Sequence, residues 1–84
     1  MMYKTIGTIE FFADLTLINA TWEITDINFS LKKNEVSVVV DIYDNGGIKP
    51  NTRSYTFSSM TPYSVADATN AILGLDCFKN SITI

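Results

Sequence analysis

The chain has 84 residues, of which 46% are hydrophobic and 18% charged, with a net charge of −3, one cysteine and no histidine. That length has room for one core and no second domain. A lone Cys77 excludes an internal disulfide, and one thiol without histidine excludes a Cys/His zinc centre.

The six basic residues are scattered, with Lys32-Lys33 the only pair, so the basic face of a nucleic-acid binder is missing. No apolar run approaches the length of a membrane span. The first twelve residues are interrupted by Lys4, Thr5, Thr8 and Glu10, which leaves no secretory apolar region and sets the expectation of a cytoplasmic or virion-associated protein. The matches to the glycosylation sequon at Asn19 and Asn28 are read as chance in an Asn- and Thr-rich chain. So small a domain has a thin stability margin unless disulfides, metals or partners add to it. Self-association is the supplement that remains.

In chain order, Tyr3, Ile6, Ile9, Phe11 and Phe12 with threonines between them predict a strand over residues 3–12, Gly7 marking a bulge or a close backbone approach. Residues 10–18 read two ways. Phe11, Leu15 and Ile18 stand at helical spacing, whereas Leu15 and Leu17 alternate; the β-branched neighbours favour strand, with a turn at Ala13-Asp14. Trp22 and Ile24 share one parity and Ile27, Phe29 and Leu31 the other. One inserted residue near Thr25-Asp26, a β-bulge, keeps both groups on one face; the alternative is two strands and a tight turn.

The alternation of Ile27, Phe29 and Leu31, then of Val36, Val38, Val40 and Ile42, across the polar turn Lys32-Lys33-Asn34-Glu35 predicts a hairpin over 27–43. Asn34 suits a left-handed turn position. Val39 and Tyr43 fall on the opposite face, which is therefore partly apolar. Asp44-Asn45-Gly46-Gly47 signals a turn that Pro50-Asn51 extends into a 44–52 loop. Residues 53–57 then return to pair with the 36–43 strand, Tyr55 and Phe57 on one face.

Thr61 as N-cap and Pro62 at the first position open the one predicted helix. It carries Val65, Ala68, Thr69 and Ile72 on one face and is closed by Gly74. Phe78, Ile82 and Ile84 alternate as a final strand or extended tail. The order β-β-β-β-β-α-β predicts a β-dominated α+β fold: a small antiparallel sheet, sandwich or barrel of about five or six strands with one short helix.

No cluster reads as catalytic. Cys77 has no histidine to activate it, and the Asp76 charge would raise its pKa, so it is read as a buried apolar residue. Asp41, Asp44 and Asn45 lack calcium-loop spacing, Gly46-Gly47 lacks the lysine and helix of a phosphate loop, and Glu10, Glu23 and Glu35 are dispersed. No cofactor or metal is expected.

Interface candidates are Tyr43, Val39, Trp22 and Tyr55, aromatic residues being the usual anchors of interfaces; Trp22 and Tyr55 are assigned to the core ahead of an interface, which leaves Tyr43 as the leading candidate. Thr occurs ten times, and a surface built of Thr, Ser and Asn desolvates cheaply. Such low charge marks interface cores and is as common in strand-rich domains without partners. With its Thr-, Asn- and Ser-rich strands, low charge, absence of histidine and one alanine-bearing helix, the chain resembles small bacteriophage virion proteins such as capsid-decorating or tail accessory subunits. That likeness implies a non-enzymatic structural subunit of a homo-oligomer or larger assembly, and no residue role comes with it. The other expectation is a small ligand- or peptide-binding module using Trp22, Tyr55 and the 44–52 loop.

Overall fold

A computed structural model describes residues 2–58 and 64–84. Among these residues the chain is β-dominated, with one helix. Strands β1 (Tyr3–Lys4), β2 (Thr8–Phe12), β3 (Leu15–Ile18), β4 (Thr21–Ser30), β5 (Glu35–Tyr43) and β6 (Asn51–Ser58) precede helix α1 (Val65–Leu73), and β7 (Ile82–Thr83) follows it. A five-stranded sheet of order β6-β5-β4-β1-β7 and a two-stranded sheet β2-β3 result, antiparallel throughout.

The predicted 3–12 strand is two strands, so six strands precede the helix in place of the expected five. Gly7 is the reason. Its φ of +83° is open to glycine and costly to other residues, and the chain turns a corner there. Asn19, at φ 48°, makes the matching corner on the opposite arm. The two are tied together: the Gly7 amide donates to Asn19 Oδ1 at 2.8 Å, and the Asn19 amide to the Gly7 carbonyl at 2.9 Å. Residues 3–22 thus form one long hairpin, bent at this clasp so that its tip folds over the main sheet. No atom lies within 4 Å of a Cβ added at Gly7, so only backbone strain opposes alanine. Gly7→Ala is expected to cost about 1 kcal/mol, measured by urea denaturation. A neutral or stabilising result would remove the corner from the explanation.

The ambiguity over residues 10–18 is settled as strand, with the turn at Ala13-Asp14 (Phe12 pairs with Leu15). The helical spacing of Phe11 and Leu15 has a β origin. An extra residue between Glu10 and Phe12 in the register lets Phe11 reach the core while Phe12 stacks on Tyr55 with centroids 5.5 Å apart. Ile18, third in that spacing, is exposed.

The bulge near Thr25 is present: Ile24 pairs with Val40 and Asp26 with Val39, leaving Thr25 extra. Trp22, Ile24, Ile27 and Phe29 consequently oppose Ile42, Val40, Val38 and Val36 on one face of a single strand. The 27–43 hairpin and its left-handed Asn34 (φ 53°) are as expected, except that β4 ends at Ser30, so Leu31, placed on a face with Ile27 and Phe29, falls in the turn and is exposed. Strand β6 begins at Asn51, so the loop is 44–50, shorter than predicted; it is pinched by the Gly47 amide donating to the Asp44 carbonyl at 2.7 Å.

Helix α1 is capped by Ser64, whose hydroxyl accepts from the Asp67 amide at 3.1 Å; the expected Thr61 cap and Pro62 lie outside the described residues. Ala68 and Ile72 are buried, whereas Val65, predicted on the same face, is exposed. Gly74 closes the helix in a right-handed conformation (φ −76°), so its left-handed freedom is not used. The predicted final strand is much shorter than expected. Leu75 to Ser81 make successive turns, with Phe78 donating to the Leu75 carbonyl and Ser81 to that of Phe78. Those turns bring Phe78, wholly buried, against Phe11, Trp22 and Tyr55 at centroid distances of 5.2, 4.9 and 5.5 Å.

Candidate functional site

The hairpin tip, α1 and the 75–81 turns all cover the same face of the five-stranded sheet, the one that bears Trp22, Val36, Val38, Val40 and Ile42. Strand alternation sends the other residues to the opposite face. There, Glu23-Asp41-Thr52, Asp26-Val39-Ser54 and Asn28-Ser37-Thr56 run as rows across β4, β5 and β6, and Ile82-Lys4-Thr21-Tyr43 runs across β7, β1, β4 and β5. No described element packs on this face. Hydroxyl and amide side chains are the commonest on it, four charged ones (Lys4, Glu23, Asp26 and Asp41) stand between them, and Val39, Tyr43 and Ile82 are the apolar members. Val39 and Tyr43 are partly buried between neighbouring strands, and Ile82 is half exposed.

Like charges face each other at Glu23 and Asp41, an unfavourable cross-strand pair that the Thr52 hydroxyl eases by donating to Asp41 Oδ1 at 2.6 Å. Lost solvation, then the carboxylates of Glu23 and Asp41, push the Tyr43 phenol above its ordinary value. Its hydroxyl is therefore neutral across the physiological range and suited to a buried contact.

Of the four interface candidates, Tyr43 and Val39 lie on this uncovered face. Trp22 does not: it is fully buried, stacked on Tyr3 at 4.6 Å, with its indole Nε1 donating to Ser81 Oγ at 2.9 Å. Tyr55 faces the core side, between Phe12 and Phe78. Ile82 escaped the sequence reading, because only pairing with Lys4 shows which face it shares. So did the β6 edge, whose signal is an eight-residue run without proline and with Arg53 as its single charge.

Two clefts open beside the core. One, of about 410 Å³, lies between α1 and the sheet and is lined by Tyr3, Ile24, Val65, Ala66, Thr69 and Asn70. The other, of about 490 Å³, has Tyr55 and Cys77 in its wall, with Ile9 and Leu75. Trp22 and the 44–50 loop line neither, so the pocket residues expected for a binding module are not brought together.

Among the described residues the Tyr55 hydroxyl is buried with only the weakly hydrogen-bonding Cys77 thiol beside it, and burial, then that thiol, drives its pKa far up. Burial likewise raises Cys77, with Asp76 adding to the shift, so both groups are protonated at neutral pH. Cys77 is half buried against the core, less enclosed than expected. Among the described residues, no three of His, Cys, Asp and Glu are grouped to hold a metal ion, and no helix is long and apolar enough to cross a membrane. Comparison with protein-family models, curated proteins and solved structures finds no match to this chain.

Proposed function

We propose that this chain is a non-enzymatic structural or interaction subunit that works within a homo-oligomer or larger assembly. One observation carries the reading: among the described residues the main sheet is covered on one face only, and its open face carries Val39, Tyr43 and Ile82 among Thr, Ser and Asn, with Lys4, Glu23, Asp26 and Asp41 between them. Such a face offers an aromatic anchor among side chains able to hydrogen-bond across a contact. The resemblance to phage capsid-decorating and tail accessory subunits makes a virus particle the assembly to test first.

Native mass spectrometry and sedimentation from micromolar to millimolar concentration test the reading. A discrete oligomer is expected, together with at least about tenfold weaker higher assembly for Tyr43→Ala, the effect of losing an interface tyrosine. A wild-type chain that stays monomeric and binds no companion subunit sinks the reading. A second reading, a small ligand-binding module, rests on the Tyr55 hydroxyl, poorly satisfied by the Cys77 thiol, beside the cleft of Ile9, Leu75 and Cys77.

A further inference from the structure

Strand β6 is at the edge of the five-stranded sheet, and among the described residues nothing pairs with its outer side. Three hydrogen bonds show which of its backbone groups face outward. The Thr25 hydroxyl donates to the Val39 carbonyl at 3.4 Å, so Val39 directs its polar groups to β4. The Asn51 side-chain amide reaches the Ile42 carbonyl at 3.5 Å, so Ile42 directs its groups to β6. Backbone groups alternate along a strand, so Val36, Val38, Val40 and Ile42 bond to their β6 partners Phe57, Tyr55, Arg53 and Asn51. Thr52, Ser54, Thr56 and Ser58 are left to point their amides and carbonyls away from the sheet. The third bond agrees: Arg53 Nη1 donates to the Thr52 carbonyl at 3.2 Å, on that open side.

We infer that this edge pairs antiparallel with the β6 edge of a second copy, Tyr55 opposite Tyr55 across a two-fold axis perpendicular to the sheet. The inference rests on the homo-oligomer reading and names its contact. Hydrogen-bonding parity requires outward residues to meet outward residues, and this register matches all of them: Thr52 with the partner's Ser58, and Ser54 with the partner's Thr56. Hydroxyl side chains then meet hydroxyl side chains on the open face. On the core side, Arg53 comes opposite the partner's Phe57.

The competing registers are worse. A shift toward the loop sets Ser58 against Pro50, which has no amide hydrogen. A further step sets the two Arg53 side chains against each other. A shift the other way sets Thr52 against residue 60, outside the described residues. The Thr52 carbonyl keeps its bond from Arg53, since a carbonyl has a second lone pair for the partner's Ser58. The two sheets become one continuous sheet with both open faces on the same side, enlarging the surface that carries Tyr43.

Proline at position 56 is the test. The Thr56 amide points outward, so Thr56→Pro leaves the β5 ladder intact while removing a donor from the shared edge. Sedimentation equilibrium of the full chain is expected to show a wild-type dimer and at least about tenfold weaker dimerisation for Thr56→Pro. Fluorescence of the buried Trp22 reports that the fold is kept. Should that variant not fold, disulfide trapping decides. In a Cys77→Ser background, a mixture of Ser54→Cys and Thr56→Cys chains is expected to cross-link as heterodimers in preference to either homodimer, since directly paired residues lie within disulfide reach.

A wild type that oligomerises while Thr56→Pro does so equally, or homodimers trapped as readily as heterodimers, overturns this contact and leaves the homo-oligomer reading standing. A monomeric wild type whose amides at 52, 54, 56 and 58 exchange freely overturns both, and leaves the edge to a strand of another protein or to none.

Discussion

Phe78→Ala is expected to remove about 3–5 kcal/mol of stability, the usual result of emptying a buried aromatic site. A chain of this length has on the order of 4–13 kcal/mol in all, so the variant is left marginal or unfolded at 25 °C. The position explains the size. Phe78 is completely buried and in ring contact with Trp22 of β4, Phe11 of the folded-over hairpin and Tyr55 of β6, so one side chain joins three separate parts of the fold. It sits in a run of turns whose backbone is held only by bonds three residues apart, from Phe78 to Leu75 and from Ser81 to Phe78. Those turns have little of their own to resist opening once the ring is gone. Urea denaturation followed by Trp22 emission measures the loss. A drop below about 1 kcal/mol would mean that the site collapses around the missing ring and that Phe78 is no keystone.

The second large effect belongs to Trp22. Trp22→Ala is expected to cost about as much as Phe78→Ala, by the same cavity argument. Trp22→Phe is the more informative change. It keeps an aromatic ring between Tyr3 and Phe78 but deletes the indole N–H that donates to Ser81 Oγ at 2.9 Å. That bond anchors the chain immediately before β7, a strand of two residues that pairs with an equally short β1. A pairing of that length is not stable by itself. Trp22→Phe is therefore expected to cost about 1–2 kcal/mol globally and to speed amide exchange selectively at residues 81–84, including Ile84, whose amide donates to the Met2 carbonyl at 3.2 Å. Hydrogen exchange that rises evenly along the chain, or not at all at 81–84, would show that the indole bond does not hold the tail.

Both sites bear on assembly, because β7 forms the far edge of the sheet from β6. Losing it would expose β1 as a new edge. The seven-residue connection at 44–50 and the half-exposed side chains of Ile6 and Ile18 have no assigned part in the proposed contacts.

Period-2 alternation was legible wherever a strand buries one face. The hairpin of β4 and β5 and the bulge at Thr25 could be read from parity, because a buried face punishes every residue placed on the wrong side. Gly7 was visible as an irregularity, but its consequence was not. A positive φ bends the chain, and only the matching conformation of Asn19, twelve residues away, turns that bend into a folded hairpin. Tyr43 and Val39 were identifiable as outer-face residues by parity alone. Trp22 and Tyr55 were legible as core residues ahead of interface anchors, and both pack on Phe78.

The sequence by itself determined the local matters: a β-dominated chain, the Asn34 turn, the loop after Tyr43, one short helix closed at Gly74, and the residues that share each strand face. These depend on neighbours a few positions apart and on the backbone preferences of single residues. The tertiary structure alone decided that every described covering element lies on one side of the sheet, that β6 is left at an edge among the described residues, and that Phe78 is in the core although its segment is not a strand. Each of these is set by contacts between residues distant along the chain, such as Trp22 with Ser81 and Tyr55 with Phe78, and no local pattern encodes which distant surfaces meet.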